Sequence, residues 1–346
     1  MSPKSASRSS PFDGAVADRF AQAATLGRDV NECRAMRWRS WMLAGDFKRA
    51  WIESDAVAAS GGNPGALWDG RPLDRGRILI RCLHGLGDAI QFVRYAALLK
   101  AAGSRIIVET HPELVSLMAL MPAVDEARTW ASDSIQPDEW DNQIEVMELP
   151  YAFRTTLATI PAPVPYFAIG ERAMREARER LRLDKLRPRV GLVWASSGWN
   201  PARSLPIRQI LPLLQCDASF YSFQRGPERE ALHVLKMRRA VFDTAHCTSE
   251  IAGTAADLCH MDIVITVDTM IAHLAGALGR PVWVLLPFDA DWRWMTDRGD
   301  SPWYPTMRLF RQSSPGEWSR VIDRIRHELQ QTVHSQRSAA DRLSPT

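Results

Sequence analysis

What this sequence has little of narrows the field first. Its five cysteines, Cys33, Cys82, Cys216, Cys247 and Cys259, are odd in number, widely spaced and form no CxxC pair. That excludes a disulfide scaffold and leads us to expect reduced thiols and a cytoplasmic protein. No apolar run approaches about 18 residues, the best window being 282–288, so no membrane span is expected. Residues 1–14 carry Ser, Pro and Lys but no apolar stretch of the kind a signal peptide needs. Net charge is scarce too: 43 basic against 40 acidic side chains leave +3, which gives no reason to expect nucleic acid or an anionic membrane as partner. HExxH, GxSxG and Walker A motifs are absent. What remains is ordinary globular composition, 46% apolar and 24% charged, in a chain long enough for about two domains of about 150 residues. Tryptophan is the exception, 13 residues against 11 Phe and 5 Tyr.

Apolar periodicity divides the chain. Trp38, Trp41, Leu43, Phe47 and Trp51 recur at helical spacing around Ala44-Gly45-Asp46, which predicts two or three short helices over 15–60. One such hairpin cannot bury its own apolar face and should pack on the residues C-terminal to it. After the Gly61-Gly62-Asn63-Pro64-Gly65 linker, short apolar strands at 78–80, 105–108 and 143–146 alternate with helices, the mark of a parallel sheet covered on both faces. A proline-rich stretch at 161–165 and a charged helix at 171–182 interrupt the alternation. It restarts with strands at 190–194, 220–223, 263–265 and 282–286 and helices at 206–214, 227–237 and 271–278. A last helix over 318–329 should lead into a disordered tail. Two doubly wound halves joined by a linker place a ligand cleft between them, at the carboxyl ends of the strands.

Three loops stand at such ends. In Gly85-Leu86-Gly87-Asp88 the glycines allow a tight turn and close approach to a ligand, with Asp88 either at the mouth of the cleft or merely capping the helix. Asp268 and Thr269 close a strand and open a helix, where free N–H groups and the helix dipole favour a phosphate. His273 lies one turn in on the same face, and is either a second donor to that anion or a core histidine. Arg203, after Ser196-Ser197-Gly198, is a clamp for a diphosphate or a solvated loop charge. Gln224 and Glu228 come after the next strand, within reach of a nucleotide base or ribose. Two metal readings, His246-Cys247 with Cys259-His260 and Asp289 with Asp291, have weak spacing, and no metal is expected.

Gly85-Leu86-Gly87-Asp88-Ala89-Ile90-Gln91-Phe92, together with 267–269 and Gly279-Arg280-Pro281-Val282-Trp283, resembles glycosyltransferase family 9, the ADP-heptose heptosyltransferases. More closely it is similar to the glycosyltransferase module attached to tetratricopeptide repeats in bacterial proteins. Asp291-Trp292-Arg293-Trp294, Ser301-Pro302-Trp303-Tyr304-Pro305 and Leu309-Phe310-Arg311-Gln312 are like that group's C-terminal signature, and the leading helices look like a remnant of the repeats. The resemblance spans about residues 40 to 330. It implies a GT-B fold of two Rossmann-like domains, and an inverting sugar transfer that needs neither metal nor cofactor, the nucleotide sugar being substrate. By position Asp88 would be the general base. Arg203 would neutralise the leaving diphosphate, Thr269, Met270 and His273 would hold its phosphates beside Asp268, and Gln224 and Glu228 would lie near the nucleoside. One departure matters: Leu83-His84 stands where the group has an acidic-Gln pair, so His84 would share or take over acid–base work, or the acceptor differs.

The expected layout is therefore a helical segment and linker (1–70), an acceptor-side Rossmann-like domain (71–168), a donor-side Rossmann-like domain (186–315), a helix (316–334) and a disordered tail (335–346). The expected partners are a nucleotide-sugar donor, heptose being one candidate, and a saccharide, lipid-linked or protein acceptor. A noncatalytic binding module and a sugar-nucleotide epimerase are the alternatives. The tryptophans read mainly as packing, with Trp199 and Trp292 placed to touch sugar or base.

Overall fold

The computed structural model describes residues 29–60, 68, 70, 75–130, 139–183, 187–198, 200–237, 240–246, 248 and 250–343. Among the described residues two helices, α1 (Val30–Leu43) and α2 (Phe47–Ala59), precede the strands. Asp29 caps α1 through bonds from Asn31 N and Glu32 N, and Asp46 caps α2 through Arg49 N. Gly45, at φ +76°, makes the turn between them.

Four parallel strands come next in the chain: β1 (Arg77–Arg81), β2 (Arg105–Thr110), β3 (Glu126–Thr129) and β4 (Asn142–Glu145), in spatial order β3-β2-β1-β4. Helix α3 (Leu86–Phe92) succeeds β1, and α4 (Glu171–Arg180) leads to the second sheet. That sheet has six parallel strands, β5 (Arg189–Val193), β6 (Ser219–Ser222), β7 (Val241–Asp243), β8 (Ile263–Val267), β9 (Val282–Leu286) and β10 (Met307–Arg311), ordered β10-β9-β8-β5-β6-β7. Among the helices that belong with it are α5 (Ile251–Cys259), α6 (Met270–Ala277) and α7 (Ser319–Leu343). Counted from β5, the second sheet has the doubly wound order 3-2-1-4-5-6, and the first sheet has its 3-2-1-4 part. The β8 and β9 strands are buried at every position, as strands covered on both faces must be.

The hairpin α1–α2 does pack on the first sheet. Trp41, Phe47 and Trp51 enter the same core as Ile78, Ile80 and Phe92, and Trp51 Nε1 donates to Thr155 O at 2.7 Å. Residues 15–28 lie outside the described ones. A seam between the sheets is built on Arg94, which is wholly buried. Its Nε donates to Gln91 O at 2.7 Å, its Nη1 to Trp303 O, and its guanidinium lies 4.4 Å from the Tyr304 ring centroid.

Several expectations need correction. The expected helix at 206–214 is a 3-10 helix, Ile207–Gln215, because Pro212 inside it cannot donate to an α-helical ladder. Strands β3, β7 and β10 have no counterpart among the expected strands. The tail expected to be disordered from 335 is helical as far as Leu343: Val333 still packs in the core, and 330–343 contains good helix formers with the first proline only at 345.

Candidate functional site

A cavity of about 1140 Å³ opens between the sheets. Its walls come from both switch points, where strand order reverses. On one side these are the residues after β1 (His84 to Asp88) and after β4 (Met147); on the other, those after β5 (Ala195 to Gly198) and after β8 (Asp268 to Ile271). In doubly wound sheets this is where ligands bind. All eleven singled-out residues line it: His84, Gly85, Gly87, Asp88, Arg203, Gln224, Glu228, Asp268, Thr269, Met270 and His273.

Thr269 is the N-cap residue of α6 in extended conformation, but its side chain makes no capping bond; Oγ1 instead lies 3.2 Å from Thr266 Oγ1. The start of α6 therefore faces the cavity without a side-chain cap, with the dipole favouring an anion. Asp268 is 4% exposed, and burial, with Asp291 nearby, pushes its carboxyl up against the opposing pull of Arg203, whose Nη1 is 3.7 Å from Asp268 Oδ2. His273 is 5% exposed, stacked on Trp294 and bonded through Nδ1 to Tyr304 OH at 3.1 Å. Burial first, then Arg293, Arg94 and Arg203, holds it well below the usual imidazole range, so it is neutral at pH 7.

Across the cavity Asp88 sits in the first turn of α3. Its Oδ2 accepts from Gly85 N at 3.0 Å, and its Oδ1 pairs with Arg293 Nη2. Gly85 itself has an ordinary φ of −65°, so the tight turn expected there is not required of it. Gly87 is different: a Cβ on it would stand 2.9 Å from His273 Cδ2, so the glycine lets α3 and α6 meet across the cleft. His84 is half exposed at the rim, its Nε2 4.0 Å from Glu145 Oε2. Burial pushes the carboxyls of Glu145 and Glu148 up, with His84 opposing both.

Gln224 departs from its expected place at a base or ribose. Its Oε1 accepts from Trp194 N (3.1 Å) and Ala195 N (2.9 Å), and its Nε2 donates to Ala195 O (3.1 Å) and Arg225 O (2.8 Å). The side chain thus shapes the loop after β5, its amide satisfied by backbone. Glu228 is exposed at the cavity edge. Trp292 lines the cavity with one face near Phe92 (6.2 Å, 14°), and Trp199 lies outside the described residues. For the metal readings, Cys247 lies outside them too, and among the described residues no group of three or more His, Cys, Asp or Glu could hold a metal ion.

Sequence reasoning missed Arg293. It is nine-tenths buried and donates from Nε to Gln91 Oε1 (2.8 Å) and from Nη1 to Asp291 Oδ1 (2.8 Å), as well as pairing with Asp88. Only its place in the 291–294 signature hinted at it, since the partner lies 205 positions away. The cavity floor thus holds three carboxyl groups, of Asp88, Asp268 and Asp291, interleaved with the guanidiniums of Arg203 and Arg293.

The comparisons agree with this geometry at the level of fold. No protein-family model matches the chain. The E. coli ADP-heptose LPS heptosyltransferase II superposes with a TM-score of 0.58 at 15% identity, covering 75% of this chain and 99% of that one. The glycosyl transferase family 9 protein from Veillonella parvula gives 0.53 at 14%, covering 70% and 87%. Among curated proteins, Protein FlbA of Caulobacter vibrioides is 24% identical over 294 residues, 76% of this chain. The chain spans about half the length of that relative. Among the described residues no helix is long and apolar enough to cross a membrane. The chain therefore has parallel α/β sheets arranged as in heptosyltransferases.

Proposed function

We propose that this chain is a glycosyltransferase that moves a sugar from a nucleoside-diphosphate donor to a hydroxyl acceptor, with inversion and without an obligatory metal, on a GT-B fold whose domains are 71–168 and 186–315. One observation carries the reading: the cavity joins the switch points of both sheets, so that Asp88 faces the uncapped start of α6 and Arg203 across one space. The donor diphosphate lies against the Met270 and Ile271 amides with Arg203 over it, and the nucleoside runs toward Gly226 and Glu228. Asp88 takes the acceptor proton as the acceptor oxygen bonds to the anomeric carbon. The bond from that carbon to the diphosphate oxygen breaks on the opposite face, and the charge left on the nucleoside diphosphate is met by Arg203 and the helix dipole, in the place a metal would otherwise fill. His84, at the acceptor rim, assists in acid–base work. Heptose is the donor sugar to test first, given the likeness to an ADP-heptose enzyme.

The test is a panel of nucleotide sugars. The cognate donor at about 100 times its Kd should raise stability by about 2.7 kcal/mol and be turned over with an acceptor. Failure of every donor to shift the melting temperature sinks the reading. A noncatalytic binding module is favoured by one fact, that both Asp88 oxygens are already engaged, by Arg293 and by Gly85 N. Donor binding without turnover across a broad acceptor set would select it.

A further inference from the structure

The segment 289–296 is unusual in backbone and in surroundings. Met295 has φ +49° and ψ −177°, a conformation that L side chains rarely adopt. Strain of this kind persists only where neighbours hold it, and two sets do. Arg311 Nη2 donates to Trp294 O (3.1 Å) and to Met295 O, while α1 supplies the rest. Thr296 N donates to Leu43 O at 3.0 Å, the Trp38 ring meets Trp292 edge-on at 5.4 Å, and Arg39 Nη2 donates to Asp289 Oδ1 at 2.8 Å. Between these anchors lies Arg293, whose guanidinium sits 5.0 Å from the Trp292 centroid and 5.3 Å from that of Phe92 on α3. Asp291 Oδ1 fixes it from behind, accepting from Arg293 N (3.0 Å) and Nη1.

We propose that the α1–α2 hairpin is a positioning element of the site: it holds the 289–296 segment, through which Arg293 orients the Asp88 carboxylate. The chain of contact runs from Trp38 and Leu43 to Trp292 and Thr296, then to Arg293, then to Asp88 and finally to the Gly85 amide that Asp88 accepts from. A guanidinium that serves Gln91, Asp291 and Asp88 with separate nitrogens fixes the carboxylate in direction as well as charge, which a lysine cannot do. Its catalytic consequence rests on reading Asp88 as the base; the mechanical coupling does not.

The test uses the full chain with Trp38→Ala and the conservative Trp38→Phe, read by amide hydrogen exchange. Loosening the hairpin contact should let Arg293 release Asp88 and so free the Gly85 N–H. Exchange at 292–296 and at Gly85 is expected to quicken about ten-fold in Trp38→Ala and to stay near wild type in Trp38→Phe. With a donor that is turned over, kcat should fall about ten-fold in Trp38→Ala while the donor KM holds, and Trp38→Phe should restore it. Should Trp38→Ala not fold, Arg39→Ala gives the same exchange readout on a smaller scale. Faster exchange confined to α1 and α2, with Gly85 unchanged, overturns the inference. If the wild-type chain turns over no nucleotide sugar the glycosyltransferase reading fails instead, and Gly85 exchange still decides the coupling.

Discussion

Two histidines line the cavity, and their surroundings separate its halves. His273, on the six-stranded side, is buried, stacked on Trp294, bonded to Tyr304 and kept neutral. His84, on the four-stranded side, has 57% of its side chain exposed beside the likewise exposed Leu83. The six-stranded wall is enclosed around His273 and Asp268, though exposed at Glu228, whereas the four-stranded wall is open at the His84 rim. Electrostatic stabilisation is strongest where water is excluded and groups need not reorganise. Under the proposed function, the enclosed surroundings of His273 would receive the donor diphosphate and the open rim an acceptor whose bulk extends into solvent.

Four substitutions or titrations would break or sharpen that contrast. Asp88→Asn should show the largest effect, a loss of about 10²–10⁴-fold in transfer with donor binding kept, since the base is removed while the amide oxygen can still accept from Arg293 or Gly85 N. Transfer at the wild-type rate would remove Asp88 from the mechanism. Arg203→Ala should act on the other half, lowering kcat/KM by about 10²–10³-fold and weakening nucleoside-diphosphate binding in calorimetry. An unchanged binding constant would leave Arg203 a structural partner of Asp268 only. Gly87→Ala tests the meeting of the halves. Its Cβ would press on His273 within 2.9 Å, and overpacking of this kind costs about 1–3 kcal/mol, visible as a lower melting temperature.

The smallest effect is a pH slope. His273 has a folded-state value held well below 6.5, so below about pH 6.5 the unfolded chain binds a proton that the native chain refuses. Stability is then fully present above that pH and falls as pH drops through it, by up to about 1.4 kcal/mol per pH unit. Melting curves from pH 7 to pH 5 should show this decline, flattened in His273→Gln. An equal slope in both proteins would assign the decline to other groups.

Much of this arrangement is legible in the sequence because it is local. Apolar runs of strand length leading into helical spacing mark β1–α3 and β8–α6, and the loops they bracket carry Asp88 and Thr269. Strand β3 escaped because Glu-Ala-Arg-Thr has no apolar run; it lies at a sheet edge, half covered. Strand β7 has only three residues, at the edge of the other sheet. The side chain of Gln224 reads as a ligand contact because it is polar and comes after a strand, yet its direction is set by backbone groups 29 and 30 positions earlier. Arg293 is hidden for the same reason on a larger scale, since tertiary packing alone brings a C-terminal arginine to α3.

The Arg94 seam limits how these halves can move. Its guanidinium bonds to Gln91 O on one side and Trp303 O on the other, while Tyr166 ties Ile90 O to the end of α6 through OH and N. Parting the halves there would break the bond from a buried cation to Trp303 O while leaving the one to Gln91 O, at a cost of about 1.5–3 kcal/mol for a hydrogen bond to a charged group. A ligand shifts a conformational balance only by its difference in affinity for the two states, so ligand-driven motion will take the cheaper route. A movement that keeps the Arg94–Trp303 contact has to turn about this seam rather than draw the two sheets apart.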